Sequence, residues 1–219
     1  MDIEVGFPKN IRAMVIGSSE TGKSYQIIKL LKRNVLFHNN VWIVSNNDAT
    51  LNQPLYKDIN RKNKIIFSRK TSKPNFENGD FIIIDDIDEF PRDSWLTTLS
   101  TIESHHSNIS VIYICHKWKT GSVALRGSVE FIFLFDNPED IYNDICKELG
   151  INNEESNILT KELNNPKGIK SKKDIINAFK NHNHILFDRR FSGIKNKNGE
   201  LIRRSRLAKY NIKGKYFYL

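Results

Sequence analysis

The chain has 219 residues, of which 39% are hydrophobic and 27% charged, near the values of ordinary globular proteins. This length can bury one sizeable core, or a core with a small appendage, and excludes two ordinary domains. The net charge of +9 is uneven: residues 1–150 carry 18 Lys+Arg against 19 Asp+Glu, and residues 151–219 carry 16 against 6. Such asymmetry indicates contact with a polyanion, most often nucleic acid, with a solvated lysine-rich face as the alternative.

Cysteine spacing and the longest apolar runs indicate the compartment. Cys115 and Cys146 lie far apart in apolar segments, without a metal-like or disulfide-like spacing. The apolar runs at 81–84 and 129–135 have the length of strands, and the first residues lack a basic region followed by an apolar one. We therefore expect a non-secreted protein of a reducing compartment, without a membrane span.

The apolar pattern predicts strands that alternate with helices along the first 150 residues. The predicted strands are residues 11–16, 41–45, 64–68, 81–85, 109–115 and 129–135. The predicted helices are residues 23–33, 91–106 and 138–149, and residues 120–127 form a short helix or a loop. Gly150 stands where a glycine ends a helix. Near-continuous apolar strands between helices predict a mostly parallel sheet covered on both faces, a three-layered α/β fold.

The pattern weakens after Gly150. Helices at 154–163 and 172–179, a strand at 184–188 and a basic, aromatic-tipped tail at 203–219 are the elements that we predict there. The predicted organisation is a core of residues 1–150 and a small basic C-terminal extension of residues 151–219.

The loop after the first predicted strand has the sequence of a nucleotide-phosphate site. Gly17 and Gly22 bracket a turn whose backbone N–H groups can surround phosphate oxygens at the start of the following helix. Lys23 would reach the β- and γ-phosphates, and the Ser24 hydroxyl would ligate Mg²⁺. The predicted ATP-binding residues are Gly17, Ser18, Ser19, Glu20, Thr21, Gly22, Lys23 and Ser24.

Two acids follow the strand at 81–84, at the edge of a parallel sheet where ligands bind. Asp85 is predicted to hold Mg²⁺ through water, opposite Ser24. Asp86 is predicted to orient or activate the attacking water, a role more often filled by Glu in related ATPases. A turn or helix cap at the strand end is the alternative for both acids, and Asp88 and Glu89 are interpreted as surface acids.

Two further residues are candidates for catalysis. His116 ends the strand at 109–115 and would sense the γ-phosphate if that strand lay between the two phosphate-site strands, a topology that marks ATPases coupling hydrolysis to motion. An exposed or capping histidine is the alternative. Arg126 could act as an arginine finger on a neighbouring subunit, which requires an oligomer, or could form a local salt bridge.

The order of these segments resembles the genome-packaging ATPases of poxviruses and other large DNA viruses, a branch of the FtsK and HerA superfamily. The resemblance covers about residues 7–145. It is carried by Phe7-Pro8 with the phosphate loop, by Phe81-Ile-Ile-Ile-Asp-Asp-Ile, and by the run from Ser104 to His116 followed by Leu125-Arg126. Two positions depart from the family: His116 replaces Gln, and Ser104-His105-His106 replaces Gly-Arg-His.

The resemblance implies a RecA/ASCE-like P-loop NTPase that uses ATP and Mg²⁺ to thread double-stranded DNA into a preformed capsid. It also implies a homo-oligomeric ring, capsid or portal components as partners, and a location in the virus factory of the host cytoplasm or in the virion. The basic tail fits the DNA side, although it could instead pack its aromatic residues on the core. Its residues are Arg203, Arg204, Arg206, Lys209, Lys213 and Lys215, interleaved with Tyr210, Tyr216, Phe217 and Tyr218.

Two other functions stay open at this point. Many P-loop small-molecule kinases have this length and the same phosphate loop, but they need an arginine-rich lid and an acceptor pocket. A nucleotide-gated DNA-binding scaffold that hydrolyses slowly would follow if Asp86 and His116 could not replace Glu and Gln.

Overall fold

A computed structural model describes the core of the chain and parts of the C-terminal third. The described residues are 5–34, 40–52, 54–57, 64–68, 73–90, 95–135, 139–155, 157, 184–190, 194–195, 198–199, 201–203, 206–210 and 216–218. The predicted helix at 172–179 lies outside these residues, and of the predicted helix at 154–163 only 154, 155 and 157 are described.

Nine of the eleven described strands form one sheet in the order β11-β10-β7-β6-β1-β5-β4-β2-β3, and β8 and β9 form a separate pair. The six strands from β6 to β3 are parallel, and β7, β10 and β11 are added antiparallel at one side. The strands are β1 (Arg12–Ile16), β2 (Asn40–Val44), β3 (Lys64–Ser68), β4 (Phe81–Ile84), β5 (Ser110–Cys115), β6 (Phe131–Leu134), β7 (Ile185–Asp188), β8 (Ile194–Lys195), β9 (Leu201–Arg203), β10 (Leu207–Tyr210) and β11 (Tyr216–Tyr218).

Helices cover both faces of this sheet. The described helices are α1 (Lys23–Asn34), α2 (Asp48–Leu51), α3 (Pro54–Lys57), α4 (Trp95–Thr98), α5 (Ser104–His106), α6 (Val123–Ser128) and α7 (Glu139–Leu149). Side chains of α1, α2 and α3 pack in the core on one face, and those of α4, α6 and α7 pack in the core on the other. Because the central strands are covered on both sides, their residues are almost all apolar. Every residue of β4, β5 and β6 is buried.

The architecture confirms the predicted fold class, a three-layered α/β P-loop NTPase of RecA/ASCE-like topology. β5 lies between β1 and β4, as the interpretation of His116 required. The predicted helix at 91–106 is described from Trp95 onward, and a π-helical turn at Leu99–Glu103 joins α4 to α5. Gly150 ends α7 with a φ of +59°, a left-handed conformation that favours glycine.

The C-terminal third contributes strands to the same sheet. β7 pairs with β6, and β10 and β11 continue the sheet outward. β7 ends opposite the start of β6, since Asp188 pairs with Phe131. The β8–β9 pair therefore follows at the sheet edge away from the phosphate loop. The division at residue 150 stays a prediction. Among the described helices, none combines the length and apolar character that crossing a membrane requires.

Candidate nucleotide site

The phosphate loop joins the end of β1 to the start of α1. A Cβ on Gly17 would lie 2.5 Å from Cβ of Phe135, so only glycine fits between the loop and the strand end. Gly22 has a φ of +90° and Glu20 a φ of +62°, which turns the loop back on itself. The Thr21 hydroxyl donates to the carbonyl oxygen of Ser18 at 2.9 Å. The loop is therefore closed by its own contacts before α1 begins.

Lys23 lies at the mouth of this loop. Its Nζ donates to the carbonyl oxygens of Gly17 at 2.7 Å and Ser18 at 2.8 Å. The residue is buried. Burial lowers the pKa of Lys23, and the charge of Asp85 opposes that shift. Because a charge in a poorly solvated cleft interacts more strongly with its neighbours, this ammonium is well suited to hold phosphate oxygens.

Asp85 lies opposite Ser24, at the end of β4. The Ser24 hydroxyl lies 3.4 Å from Oδ2 of Asp85. Burial raises the pKa of Asp85 to about 6, the hydrogen bond from Tyr56 opposes that shift, and the charge of Asp86 adds to it. A cation beside this carboxylate would favour its ionised form. A hydroxyl and a carboxylate are oxygen ligands of the kind that Mg²⁺ prefers, so Ser24 and Asp85 fit the predicted magnesium site.

Asp86 and His116 face each other across the same edge of the sheet. Oδ1 of Asp86 lies 3.6 Å from Nε2 of His116, and the other ring nitrogen, Nδ1, lies 3.2 Å from the carbonyl oxygen of Gly17. Nδ1 also lies 3.3 Å from Nζ of Lys23. Asp86 has a left-handed backbone with a φ of +57°, which turns the chain sharply after β4. The imidazole thus lies between the phosphate loop and the candidate catalytic carboxylate.

Three residues at this site are absent from the sequence-based set of site residues. Thr50 donates from Oγ1 to Oδ2 of Asp86 at 2.6 Å, and the Tyr56 hydroxyl donates to Oδ2 of Asp85. Asp88, interpreted as a surface acid, is exposed but accepts from the backbone N–H of His116 at 2.8 Å. None of the three belongs to a recognised motif. Thr50 and Tyr56 lie in the connection between β2 and β3, far along the chain from the acids that they contact.

Arg126 is engaged within its own subunit. Its side chain is buried, with Nε donating to Oε1 of Glu148 at 2.8 Å, and Nη1 donates to the carbonyl oxygen of Gly121. The guanidinium lies 5.5 Å from the ring centroid of Trp118, whose Nε1 donates to the same carboxylate at 2.8 Å. This arrangement is a local ion pair. An arginine finger would require the guanidinium to leave Glu148, and that role stays a prediction.

Two residues of the basic tail also have internal contacts. Arg206 donates to both carboxylate oxygens of Glu155, at 3.2 and 2.9 Å, and lies over the ring of Phe187. The Tyr216 hydroxyl accepts from Nε2 of Gln26 in α1 at 3.3 Å, and the Tyr216 ring packs against Phe133. This part of the tail therefore packs against the core.

Comparisons with known proteins agree with this fold. A sequence model described as the poxvirus A32 protein family matches residues 34–182, more than half of the chain. The match begins after the phosphate loop and includes the positions of Asp85, Asp86, His116 and Arg126. A comparison with curated protein sequences found no match.

Solved structures of viral packaging proteins share the fold. The genome packaging NTPase B204 of Sulfolobus turreted icosahedral virus 2, in complex with AMP, superposes with a TM-score of 0.56 at 13% identity, covering 91% of this chain and 100% of that one. Its complex with ATP-gammaS gives a TM-score of 0.53 at 13% identity, covering 84% and 94%. B204 of Sulfolobus turreted icosahedral virus, described as a DNA-packaging ATPase, gives 0.54 at 15% identity, covering 84% and 94%.

Proposed function

This chain belongs to the poxvirus A32 protein family, and we propose that it is an ATPase that drives double-stranded viral DNA into a preformed capsid. The observation that carries the proposal is the position of β5 between β1 and β4, which places His116 between the phosphate loop and Asp86. The AMP and ATP-gammaS complexes of B204, a packaging NTPase of the same fold, support a nucleotide as the ligand of this edge.

The site residues divide the work of phosphoryl transfer to water. Lys23 and the loop N–H groups would hold the β- and γ-phosphates, and Ser24 and Asp85 would hold Mg²⁺, which neutralises charge on those phosphates. Asp86 would orient the attacking water and accept its proton. His116 contacts Gly17 and faces Asp86, so it can report the state of the phosphates to the acid.

The proposed DNA contacts are sequence-independent contacts to phosphates from the C-terminal third. Because Arg206 and Tyr216 are engaged within the subunit, we assign these contacts to the other basic residues of 195–219: Lys195, Lys197, Arg203, Arg204, Lys209, Lys213 and Lys215. Lys195 lies in β8 and Arg203 in β9, the strands that follow β7, and β7 ends at the edge opposite the nucleotide site. DNA and nucleotide would then meet opposite edges of one sheet.

A homo-oligomeric ring is part of the proposal, because the resemblance to ring-forming genome-packaging ATPases implies one. Each arginine whose side chain the structure describes is bound within its own chain. A finger in trans would therefore come from a rearranged Arg126 or from an arginine outside the described side chains. Capsid or portal components are the proposed partners, in the virus factory of the host cytoplasm or in the virion.

Steady-state ATP hydrolysis, measured with and without double-stranded DNA at several protein concentrations and two salt concentrations, tests the proposal. We expect DNA to stimulate hydrolysis, with stimulation that rises with protein concentration and falls with salt. Hydrolysis that ignores DNA, together with phosphate transfer to a nucleoside or nucleotide, would support a small-molecule kinase. Nucleotide-dependent DNA binding without turnover would support a scaffold.

A further inference from the structure

The connection between β2 and β3 reaches the nucleotide site through two short helices. The side chain of Asn47 accepts from the backbone N–H of Ala49 at 2.9 Å and caps the start of α2. The Asn47 N–H in turn donates to Oγ of Ser45 at 3.1 Å, so the turn after β2 is held by hydrogen bonds. α3 follows and packs against α1, the helix that begins with Lys23. Residues 45–52 and 54–57 of the connection therefore have a defined position beside the phosphate loop.

Each of these short helices presents one buried hydroxyl to one carboxylate. Thr50 of α2 is 5% exposed and lies 2.6 Å from Oδ2 of Asp86. Tyr56 of α3 is fully buried, and its hydroxyl donates to Oδ2 of Asp85. The remaining carboxylate oxygens face other groups of the site: Oδ1 of Asp86 faces His116, and Oδ1 of Asp85 accepts from the Asp86 N–H at 3.0 Å.

We propose that Thr50 and Tyr56 are positioning residues, Thr50 for the acid that orients the attacking water and Tyr56 for the acid that holds Mg²⁺. This inference rests on the proposed function of the same site. Neutral hydroxyl donors hold each carboxylate in one orientation without adding a positive charge that would compete with the metal or with the attacking water.

The roles of the two hydroxyls are separable. The Oδ2 atom of Asp85 that Tyr56 contacts is also the oxygen nearest the Ser24 hydroxyl, so Tyr56 acts on the side of the metal. The Thr50 hydroxyl donates to Asp86 at the carboxylate oxygen that does not face His116, so it acts on the orientation of the water. Loss of Tyr56 should therefore weaken Mg²⁺-dependent binding, and loss of Thr50 should slow turnover.

The Thr50 arm compares Thr50→Val, which keeps the shape and removes the donor, with Thr50→Ser, which keeps the donor. We expect Thr50→Val to lower kcat about 10- to 100-fold, as loss of an outer-shell hydrogen bond does at other sites, with KM for ATP nearly unchanged. Thr50→Ser should stay within about threefold of wild type, and all three proteins should melt cooperatively. Equal kcat for Thr50→Val and wild type, or equally low kcat for Thr50→Ser and Thr50→Val, would overturn the role of Thr50.

The Tyr56 arm uses equilibrium binding of a fluorescent ATP analogue with and without Mg²⁺. Tyr56→Phe should reduce the gain in affinity that Mg²⁺ supplies by about 10-fold or more, with binding in EDTA unchanged. Tyr25→Phe, at the partly exposed tyrosine of α1, is the matched control and should behave as wild type. If Mg²⁺ raised the affinity of Tyr56→Phe as much as that of wild type, the role of Tyr56 would be overturned. An equal loss of affinity with and without Mg²⁺ would also overturn it.

These arms separate failure of this inference from failure of the proposed function. Wild-type protein that hydrolyses ATP, with variants that match it in both assays, would sink the inference alone. Wild-type protein that shows no hydrolysis with DNA at any concentration would sink the proposed function and with it the role of Thr50 in turnover. The Mg²⁺-dependent binding measurement would still decide the role of Tyr56.

Discussion

The phosphate edge of the sheet and the basic C-terminal third differ in how their charged groups are held. At the phosphate edge, Lys23 donates to the carbonyl oxygen of Gly17, and Asp85 lies near the Ser24 hydroxyl and accepts from the Asp86 N–H. In the C-terminal third, Arg206 is already paired with a buried carboxylate of its own chain. Arg126, on α6, is held in the same way by Glu148. Arg126 and Arg206 are thus neutralised by carboxylates of their own chain, whereas Lys23 donates to carbonyl oxygens of the phosphate loop.

The largest effect should come from Lys23→Ala, which removes the one cation at the phosphate loop that contacts Gly17 and Ser18. We expect tight ATP binding to be lost, by about 100-fold or more, because no other side chain supplies that charge in the loop. Titration with a fluorescent ATP analogue measures the loss, and Lys29→Ala, also in α1 but beside the ring of Tyr25, is the matched control. Retained ATP affinity in Lys23→Ala would contradict the assignment of residues 17–24 as the ATP-binding loop.

Asp86→Asn separates binding from turnover at the same edge. The amide keeps the size of the side chain but cannot accept a proton from water, so kcat should fall about 100-fold or more while nucleotide affinity stays within a few-fold. Single-turnover hydrolysis and equilibrium binding measure the two quantities. Turnover like that of the wild type would remove the role assigned to Asp86.

Arg126→Ala tests whether Arg126 acts on a neighbouring subunit or only stabilises its own. If Arg126 acts as a finger in trans, Arg126→Ala alone should lose turnover. Mixtures of Arg126→Ala with Lys23→Ala should regain it, because each variant supplies the intact half of a shared site. As a brace within the subunit, it should lose about 1–3 kcal/mol of stability, since Glu148 is left without its arginine.

Mixing experiments and denaturant unfolding of the same samples distinguish these outcomes. Glu148→Gln is the control, because it weakens the ion pair and leaves the arginine in place. Absence of rescue at every mixing ratio would assign Arg126 to the brace alone.

Arg206→Ala should lower stability, and Lys209→Ala should lower DNA binding. Arg206→Ala leaves Glu155, whose side chain is 1% exposed, without its partner, and should cost about 2–3 kcal/mol of stability. Lys209→Ala should leave stability within about 0.5 kcal/mol but weaken DNA binding and reduce the salt slope by about one. Denaturant unfolding and DNA binding at several salt concentrations measure both. A pure DNA-binding defect in Arg206→Ala would contradict its internal role.

The stability term of the Arg206–Glu155 pair should depend on pH. Burial alone would raise the pKa of Glu155, but the hydrogen bonds from Arg206 lower it below the ordinary value of 4.5. A carboxyl with a lowered folded-state pKa contributes stability above its unfolded pKa and loses it as the pH falls through the folded one. The advantage of wild type over Arg206→Ala should therefore be full above about pH 4.5 and shrink below it.

The sequence predicted the elements whose signals are local. The phosphate loop is a strand, a glycine turn and a helix start in consecutive residues, so Gly17, Lys23 and Ser24 could be identified from spacing alone. The interpretation of His116 was conditional on the strand order, and the structure supplies that order, with β5 between β1 and β4.

Contacts between distant segments could not be predicted in this way. Glu148 lies 22 residues after Arg126, and Glu155 lies 51 residues before Arg206. Thr50 and Tyr56 meet their acids from a connection without a motif, 36 and 29 residues away. Only the fold brings these pairs together, because periodicity reports which face of an element is buried and not what lies against it.

Movement of the protein along DNA tests the central claim most directly. A short third strand bound to a long duplex as a triplex is displaced when a motor passes, and its release can be followed by fluorescence. We expect ATP-dependent release by wild type, little release by Asp86→Asn, and less release at high salt. Hydrolysis that is stimulated by the duplex but never displaces the third strand, at any protein concentration, would contradict the assignment as a DNA translocase.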